Sequence, residues 1–425
     1  MADVCVLGLG YVGLPTASLH ANAGCHVLGV DVDQNIVKAL RSGQTRLEEA
    51  GLATLVSAAV KSGNLVAGAA PEPSDTFIIC VPTPVTKQKK VVLAAVEGAA
   101  RAISPHLRKG NLVILESTSP IGTTRNTVGT ILAETGLEPG QDFDLCYCPE
   151  RVLPGNTVKE LINNDRIIGG FTPHSAQRAE AMYRRFCQGR ISLTDDLTAE
   201  LCKLMENTYR DVNIALANVF ARIAEDSSIN VWNAIELANL HPRVTILKPG
   251  PGVGGHCIPV DPWFLVEAHP KHTALLRTAR DVNDGQAELL LKRLQSSNKL
   301  KTGDKIAVLG AAYKADIDDA RESPVILFTA AAINAGYKVQ VHDPIVLAGE
   351  HHGVLISDDL SDCLKEATAA VLLTEHKAYR SLSSEFFAKH MKGRLIADAR
   401  NWLNHESLRQ AEFYVILLGA AEKGA

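Results

Sequence analysis

Nowhere is this chain apolar for the roughly 20 residues that a membrane-spanning helix needs. Its N-terminus has no basic segment of the kind that opens a secretory signal, and residues 4–9 read as a buried strand. Neither a membrane span nor export is therefore expected. No sign of charge dominates: 43 Lys and Arg stand against 47 Asp and Glu, a formal charge of −4. That balance gives no electrostatic case for a nucleic-acid or anionic-membrane partner. Evenly paired cysteines are lacking too. The nine cysteines are scattered singly, except for Cys146 and Cys148, whereas a secreted disulfide framework is usually shorter and evenly paired. Cys5, Cys25, Cys80, Cys187, Cys202 and Cys363 read as small buried hydrophobes in a reducing, cytoplasmic setting. Cys146 and Cys148 sit at strand spacing without a second Cys/His pair at zinc-finger distance, so no metal is expected.

What is present is enough chain for two or three domains: 425 residues, 46% hydrophobic. Asp3-Val-Cys-Val-Leu-Gly8 reads as a parallel strand buried on both faces. Gly8-Leu-Gly10-Tyr-Val-Gly13 follows, then a helical stretch from Leu14 to about Ala23, Gly24, and a second strand ending Val30-Asp31. Further strands are expected at Thr76–Val81, Leu112–Glu116 and Asp144–Tyr147. This alternation predicts a doubly wound parallel sheet with ligands at the strand C-termini. Glycine then vanishes between 197 and 240. Helical periodicity runs through Leu201, Leu204, Met205, Thr208, Val212, Ala215 and Val219, expected to be a helical domain or connector. Pro249-Gly-Pro-Gly-Val-Gly-Gly255 reads as a shaped loop, and helical pattern resumes from Pro262 to Leu294. Lys305–Gly310, a helix near Pro324–Ala335 and a strand Lys338–His342 repeat the opening theme without its full glycine fingerprint, so a different ligand is expected there. The fold class is α/β: two Rossmann-like, doubly wound parallel-sheet domains joined by a central helical domain. The expected boundaries are 1–196, 197–298 and 299–425.

The glycines have mechanical reasons. Gly8 permits a tight turn, Gly10 a close approach to a pyrophosphate, and Gly13 close packing of helix on strand. The helix N-terminus, with Tyr11 and Val12 at its mouth, offers unpaired N–H groups to phosphate. G-x-G-x-x-G alone is a weak signal; strand before, helix after and an acid about 20 residues on strengthen it. Asp31 is expected to accept from ribose hydroxyls and to repel a 2′-phosphate, favouring NAD over NADP. Val81-Pro-Thr83-Pro and Ser117-Thr118 follow predicted strands, at the ligand edge of the sheet. An FAD site or an ordinary turn is the alternative reading.

Cys257 lies in Gly254-Gly255-His256-Cys257-Ile-Pro259-Val-Asp261, outside any apolar strand or helix. Two glycines before a thiol allow close approach of a ligand, and His256 and Lys248 are candidates to favour thiolate. Lys203 and Asn207 are one helical turn apart and share a face. Leu204 and Met205 between them are expected to supply core contacts. Spacing alone also fits a solvated lysine beside a solvated asparagine.

Taken together, these motifs resemble the UDP-glucose/GDP-mannose dehydrogenase family. They run in order: Gly-Leu-Gly-Tyr-Val-Gly at 8–13, Val-Pro-Thr-Pro at 81–84, Glu-Ser-Thr-Ser-Pro-Ile-Gly-Thr at 116–123 and Cys-Pro-Glu-Arg at 148–151. Glu200-Leu-Cys-Lys203…Asn207, Gly-Gly-His-Cys-Ile-Pro-Val-Asp at 254–261 and Ala312-Tyr-Lys314…Asp318-Asp319-Ala-Arg321-Glu-Ser323-Pro324 complete the series.

The resemblance implies a four-electron oxidation of a UDP-sugar's C6 alcohol to a carboxylate with two NAD. It implies that Lys203 and Asn207 flank C6 and activate water or stabilise oxyanions. Cys257 would form a thiohemiacetal and then a thioester. Glu150 and Asp261, assisted by Thr118, would position or deprotonate the hydrolytic water. On the cofactor side it implies Gly10, Tyr11, Val12, Asp31, Thr83, Thr118 and Arg321. On the sugar side it implies Glu150, Arg151, Val152, Lys203, Asn207, Arg210, His241, Arg243, Gly254 and Lys314, with Leu153-Pro154-Gly155 as the sugar loop. Ile317 departs from the threonine more usual in the family. Cys-Pro-Glu-Arg-Val-Leu-Pro-Gly (148–155), Asn164-Asp165-Arg166 and His241-Pro-Arg243 narrow the resemblance to the branch acting on UDP-N-acetyl-D-mannosamine. UDP-N-acetylglucosamine and UDP-glucose are the alternatives, and a catalytically inactive NAD-binding sensor is a reading from another class. A simple two-electron hydroxyacid dehydrogenase would need no thiol. The helical segment 197–295 is expected to pair with its twin in a homodimer.

Overall fold

The structure, a computed structural model, describes residues 2–47, 49–351 and 353–421. The outer ends of the expected first and third domains, Met1 and residues 422–425, lie outside the described residues. The chain forms two compact units: Met1–Glu206 with Trp263–Ala268, and Asn207–Pro262 with His269–Ala425.

In the first unit the strands among the described residues are β1 (Ala2–Leu7), β2 (Val27–Val30), β3 (Leu65–Gly68), β4 (Ser74–Ile79), β5 (Leu112–Leu115), β6 (Asp144–Tyr147), β7 (Arg166–Gly170) and β8 (Ile191–Asp195). They hydrogen-bond in the order β3-β2-β1-β4-β5-β6-β7-β8. Pairing is parallel throughout, except where β7 runs antiparallel to β6. β1 shows why the sheet is buried on both faces. Val4 and Val6 enter one apolar cluster, while Cys5 and Leu7 enter the other. Each such aliphatic side chain, fully buried, contributes about 1.5–3 kcal/mol. Strand order reverses between β1 and β4, which opens a crevice at their C-terminal ends. The sequence did not foretell β3, β7 or β8, which are short or carry glycine and polar residues.

The second unit repeats this plan. Its strands among the described residues are β9 (Lys305–Leu309), β10 (Lys338–His342), β11 (Gly349–His351), β12 (Val354–Ser357), β13 (Ala367–Leu372), β14 (Leu395–Asp398) and β15 (Tyr414–Leu417). Their order is β11-β12-β10-β9-β13-β14-β15, with the reversal between β9 and β13. Ile306 and Val308 join a core that also holds Ala221, Trp232 and Leu290 from the unit's helices. Ala307 and Leu309 face the other core.

The helical pattern expected over Pro262–Leu294 is present as three helices: Asp261–Ala268, Ala274–Asp284 and Gln286–Ser296. Two expectations need correction. Met205, expected to make a core contact, is 56% exposed, and Leu201 of the same periodic series is exposed too. Asp196, Glu200 and Lys203 of the same helix turn inward instead: Asp196 pairs with the half-buried Arg125, Glu200 with the buried Thr124 and Lys203 with the buried Glu150. Leu204 alone of the two residues between Lys203 and Glu206 makes the core contact. Cys80 and Cys202 are only partly buried, while Cys5, Cys25, Cys187 and Cys363 are buried as expected.

Candidate functional site

At the crevice of the first unit, Gly8 has φ +91°, and a Cβ there would sit 2.5 Å from the Cys80 carbonyl oxygen. A Cβ on Gly13 would meet the Gly8 oxygen at 1.8 Å. Any side chain at either position would break the turn. A Cβ on Gly10 would meet nothing within 4 Å, so that residue borders open space. The helix Gly13–Asn22 begins here with no side-chain cap; its Leu14 and Thr16 N–H groups donate to the Gly10 and Val12 carbonyls, and the positive end of its dipole suits an anion. Asp31 follows β2. Its Oδ2 accepts from the Leu9 N–H at 2.8 Å and its Oδ1 from the Asp33 N–H at 2.9 Å. The carboxylate therefore fixes the glycine turn from the end of β2. These features fit a dinucleotide: a cradle at Gly10 for phosphate and a carboxylate for ribose hydroxyls.

Two further ligand-edge loops are pinned to each other. Thr83 Oγ1 donates to the Thr118 carbonyl at 2.5 Å. The loop holding Thr118 is fixed in turn by Glu200. Its carboxylate accepts from Gly122 N–H (2.5 Å), Thr124 N–H (2.8 Å) and Thr124 Oγ1 (2.7 Å). Burial pushes the Glu200 carboxyl up to about 7 against the pull of those donors. Below the edge, Glu116 accepts from Tyr183 Oη (2.6 Å), Thr16 Oγ1 (3.2 Å) and Arg166 Nη1 (3.4 Å). Arg166, one of the residues of the narrower resemblance, is thus an internal partner of the sheet edge.

Lys203 is only 4% exposed. Its Nζ donates to Glu150 Oε1 at 2.7 Å and to the Glu150 carbonyl at 2.8 Å. Glu150 Oε2 accepts from Val152 N–H at 2.9 Å, which curls the loop after β6. Arg151 pairs with Glu206 at 2.8 Å and donates to the Asp165 carbonyl. The Leu153–Gly155 loop is held by two carboxylates: Glu160 accepts from Leu153 N–H, and Glu49 from Gly155 and Thr157 N–H.

The second unit gathers the thiol and its companions. Cys257 is half-buried, and its carbonyl accepts from Val260 N–H (3.0 Å) and Asp261 N–H (2.9 Å). Asp261 Oδ2 in turn accepts from Asn207 Nδ2 at 2.5 Å. The backbone of Cys257 thus closes the turn that leads into Asp261, and the Asp261 carboxylate is held by the Asn207 amide. Gly255 has φ +89°, and its N–H donates to the Arg321 carbonyl at 3.1 Å. A Cβ on Gly254 would strike Glu322 O and Tyr313 Cβ, each at 2.7 Å. The Lys314…Arg321 motif therefore lies directly against the thiol loop. Arg321 forks onto Asp319, with contacts of 2.6 and 2.9 Å. His256 Nδ1 lies 3.9 Å from the same carboxylate. Burial would raise the Asp319 carboxyl, but the Arg321 donors outweigh it and hold it below the ordinary range. Asp316 and Glu322 take left-handed φ of 62° and 50° at either side of this motif, a conformation uncommon for such residues. Lys314 is half-buried, whereas Arg210, His241 and Arg243 are exposed.

Sequence reasoning missed Glu49, Asn218, Arg280 and Arg400. Arg400 Nη1 would lie 2.7 Å from a Cβ on Gly250. It donates to the Leu373 carbonyl and pairs with Glu375. None of these residues has a local signature.

A glycine turn of the dinucleotide-binding kind in the first unit and a loop-borne thiol in the second fit the class of dinucleotide-dependent oxidoreductases. Family comparison makes the class specific. Residues 2–187 match the NAD-binding domain of the UDP-glucose/GDP-mannose dehydrogenase family, 197–285 its central domain and 307–405 its UDP-binding domain. The chain belongs to that family and is an NAD-dependent dehydrogenase. It is 45% identical over 422 residues to a UDP-N-acetyl-D-mannosamine dehydrogenase of Methanocaldococcus jannaschii, covering 98% of this chain and 96% of that one. It is 42% identical to an NDP-N-acetyl-D-galactosaminuronic acid dehydrogenase of Ralstonia nicotianae, covering 93% and 95% of the two chains. The solved UDP-D-ManNAc dehydrogenase of Pyrococcus horikoshii superposes with a TM-score of 0.91 at 40% identity, over 98% of this chain and 99% of that chain. No helix of the described residues is long and apolar enough to cross a membrane.

Proposed function

We propose that the protein oxidises the C6 alcohol of UDP-N-acetyl-D-mannosamine to the carboxylate, through covalent intermediates on Cys257. The observation that carries this reading is a loop-borne, half-buried thiol at Cys257, whose carbonyl closes the turn into Asp261, with the Asp261 carboxylate accepting from Asn207. A two-electron alcohol oxidation has no use for a thiol; an acid-forming one does. Bound NAD supplies a hydride acceptor for each of the two oxidation steps. Gly10, Tyr11, Val12, Asp31, Thr83 and Thr118 would hold it, with Arg321 reaching towards it.

The alcohol first loses a hydride from C6 to the acceptor and a proton from its hydroxyl to a water held by Lys203 and Asn207, giving an aldehyde. Lys203 and Asn207 hold donors towards the developing oxyanion, and preorganised donors of this kind are a large catalytic term. The Cys257 sulfur then adds to the aldehyde carbon. The resulting thiohemiacetal loses its carbon-bound hydrogen as hydride and its hydroxyl proton, leaving a thioester. Water adds to the thioester, its proton passing to Glu150 or Asp261, with Thr118 helping to orient it. The C–S bond breaks and the thiol is regenerated. Arg151, Val152, Arg210, His241, Arg243, Gly254 and Lys314 bind the UDP-sugar in this reading.

The choice of N-acetylmannosamine rests on the names of the M. jannaschii and P. horikoshii relatives. The R. nicotianae relative favours a galacto-configured sugar as the second reading. We also propose the functional domains as 1–196, 197–298 and 299–425, a homodimer through the central helical domain, and a cytoplasmic location. The test is NADH production from UDP-glucose, UDP-GlcNAc, UDP-ManNAc and UDP-GalNAc. The highest kcat/KM is expected with UDP-ManNAc; a clear preference for any other sugar rejects the substrate assignment.

A further inference from the structure

The segment Pro249–Gly255 leads into the thiol loop with glycine at 250, 252, 254 and 255. Glycine gives such a segment wide conformational freedom, so something must fix it. Gly255 is fixed at one end by the Arg321 carbonyl. At the other end both polar groups of Gly250 are held by buried side chains. Its N–H donates to Asn218 Oδ1 at 2.9 Å, and its carbonyl accepts from Gln286 Nε2 at 3.3 Å.

Asn218 is itself locked from behind. Its Nδ2 donates to Asn283 Oδ1 at 3.0 Å, and Asn283 Nδ2 donates to Asp211 Oδ1 at 2.9 Å. Arg280 Nη1 donates to the same Asp211 oxygen at 2.6 Å. Asp211, Asn218, Arg280 and Asn283 are all buried. Gln286 Oε1 accepts from Arg222 Nε at 2.9 Å. A core needing only stability has no use for this chain of polar groups, since apolar side chains of the same volume stabilise as well. Asp211 Oδ2 and Arg280 Nε stay unpaired, but the bonds running from Asp211 through Asn283 and Asn218 to Gly250 still fix one arrangement, because displacing any of these members would strand a further buried group. Space around the loop is equally tight. Arg400 crowds Gly250, and a Cβ on Gly252 would lie 3.0 Å from the Asn283 carbonyl.

We infer that Asn218 is a positioning residue for Cys257: it sets the register of the glycine loop, and through it the place of the thiol. The inference deepens the proposed function and rests on Cys257 being the nucleophile. Asn218 touches neither substrate nor cofactor in this account. Its loss should therefore appear in the chemical steps and not in ligand binding. Geometry errors of about 1 Å at a reacting group cost roughly a hundredfold in rate.

The test compares the full-length wild type with Asn218→Ala, Asn218→Asp and Cys257→Ser. Asp keeps an acceptor for the Gly250 N–H; Ala does not. Asn218→Ala is expected to lower kcat roughly ten- to a hundredfold. Its KM for the UDP-sugar and its NAD dissociation constant should stay within about threefold of wild type. Asn218→Asp should recover a substantial part of the lost kcat. Iodoacetamide alkylation of Cys257, followed by peptide mapping in the absence of substrate, needs no turnover. Its rate-against-pH profile should change in Asn218→Ala and return towards wild type in Asn218→Asp. An Asn218→Ala enzyme with wild-type kcat and an unchanged alkylation profile overturns the inference. So does a loss of kcat matched by an equal loss of NAD binding. Should Asn218→Ala not fold, Gln286→Ala, which frees the other polar group of Gly250, must give the same split; wild-type kcat there overturns the inference. Full turnover by Cys257→Ser would instead remove the nucleophile, while the alkylation profiles would still report whether Asn218 holds the loop.

Discussion

Lys203 Nζ lies 2.7 Å from Glu150 Oε1, and both side chains are withdrawn from solvent. A buried pair of this kind is costly to break from one side, because the remaining charge is stranded. Lys203→Met is expected to destabilise the fold by about 3 kcal/mol. The double variant Lys203→Met with Glu150→Gln should lose less than the sum of the two single losses. Urea unfolding of the four proteins measures this. Additive losses would mean that the pair is not coupled.

Asp31 joins the glycine turn to the expected ribose position through the Leu9 N–H. Asp31→Ala removes a charged acceptor from both. NAD affinity should fall about ten- to a hundredfold, the worth of one or two charge-assisted hydrogen bonds. The KM for the UDP-sugar should change little. Fluorescence titration with NAD reads the effect, and an unaltered affinity would show that the ribose contact has been misplaced.

Asp343 follows β10 in the second unit, where Asp31 follows β2 in the first. Its fate is different. Asp343 Oδ2 accepts from Ala311 and Ala312 N–H and contacts His376 Nε2 at 3.0 Å, while Oδ1 accepts from Ile345 and Val346 N–H. Burial would raise this carboxyl, but His376 and the amides more than offset it and bring it from 3.8 to about 2. Because the folded value lies below the unfolded one, the stabilisation is full above pH 3.8 and is lost as pH falls towards 2. It amounts to about 2 kcal/mol. Asp343→Asn should flatten the stability-against-pH curve over that window in acid unfolding; an unchanged slope contradicts the assignment.

These carboxylates mark what a sequence can and cannot reveal. Gly8, Gly10, Gly13 and Asp31 were legible because strand, turn, helix and acid follow one another locally, and each glycine answers a steric demand of its own turn. Lys203 and Asn207 were legible as a pair on one helical face. Their burial was not, since a solvated lysine has the same spacing. The core contact expected of Met205 failed, because Asp196, Glu200 and Lys203 of that helix turn inward instead. What fixes the loops was beyond local reading altogether. Glu49 reaches Gly155 across 106 residues, Glu200 reaches Gly122 across 78, and Asn218 reaches Gly250 across 32. Only the folded chain brings such donors and acceptors together.

In the proposed route the acid-forming chemistry turns on the sulfur of residue 257, and the ratio of NADH formed to sugar consumed tests it most directly. With UDP-ManNAc and excess NAD, wild-type enzyme is expected to yield two NADH per sugar. Cys257→Ser should fail to sustain that turnover while still binding NAD. One NADH per sugar from the wild type, or undiminished turnover by Cys257→Ser, would contradict the thioester route.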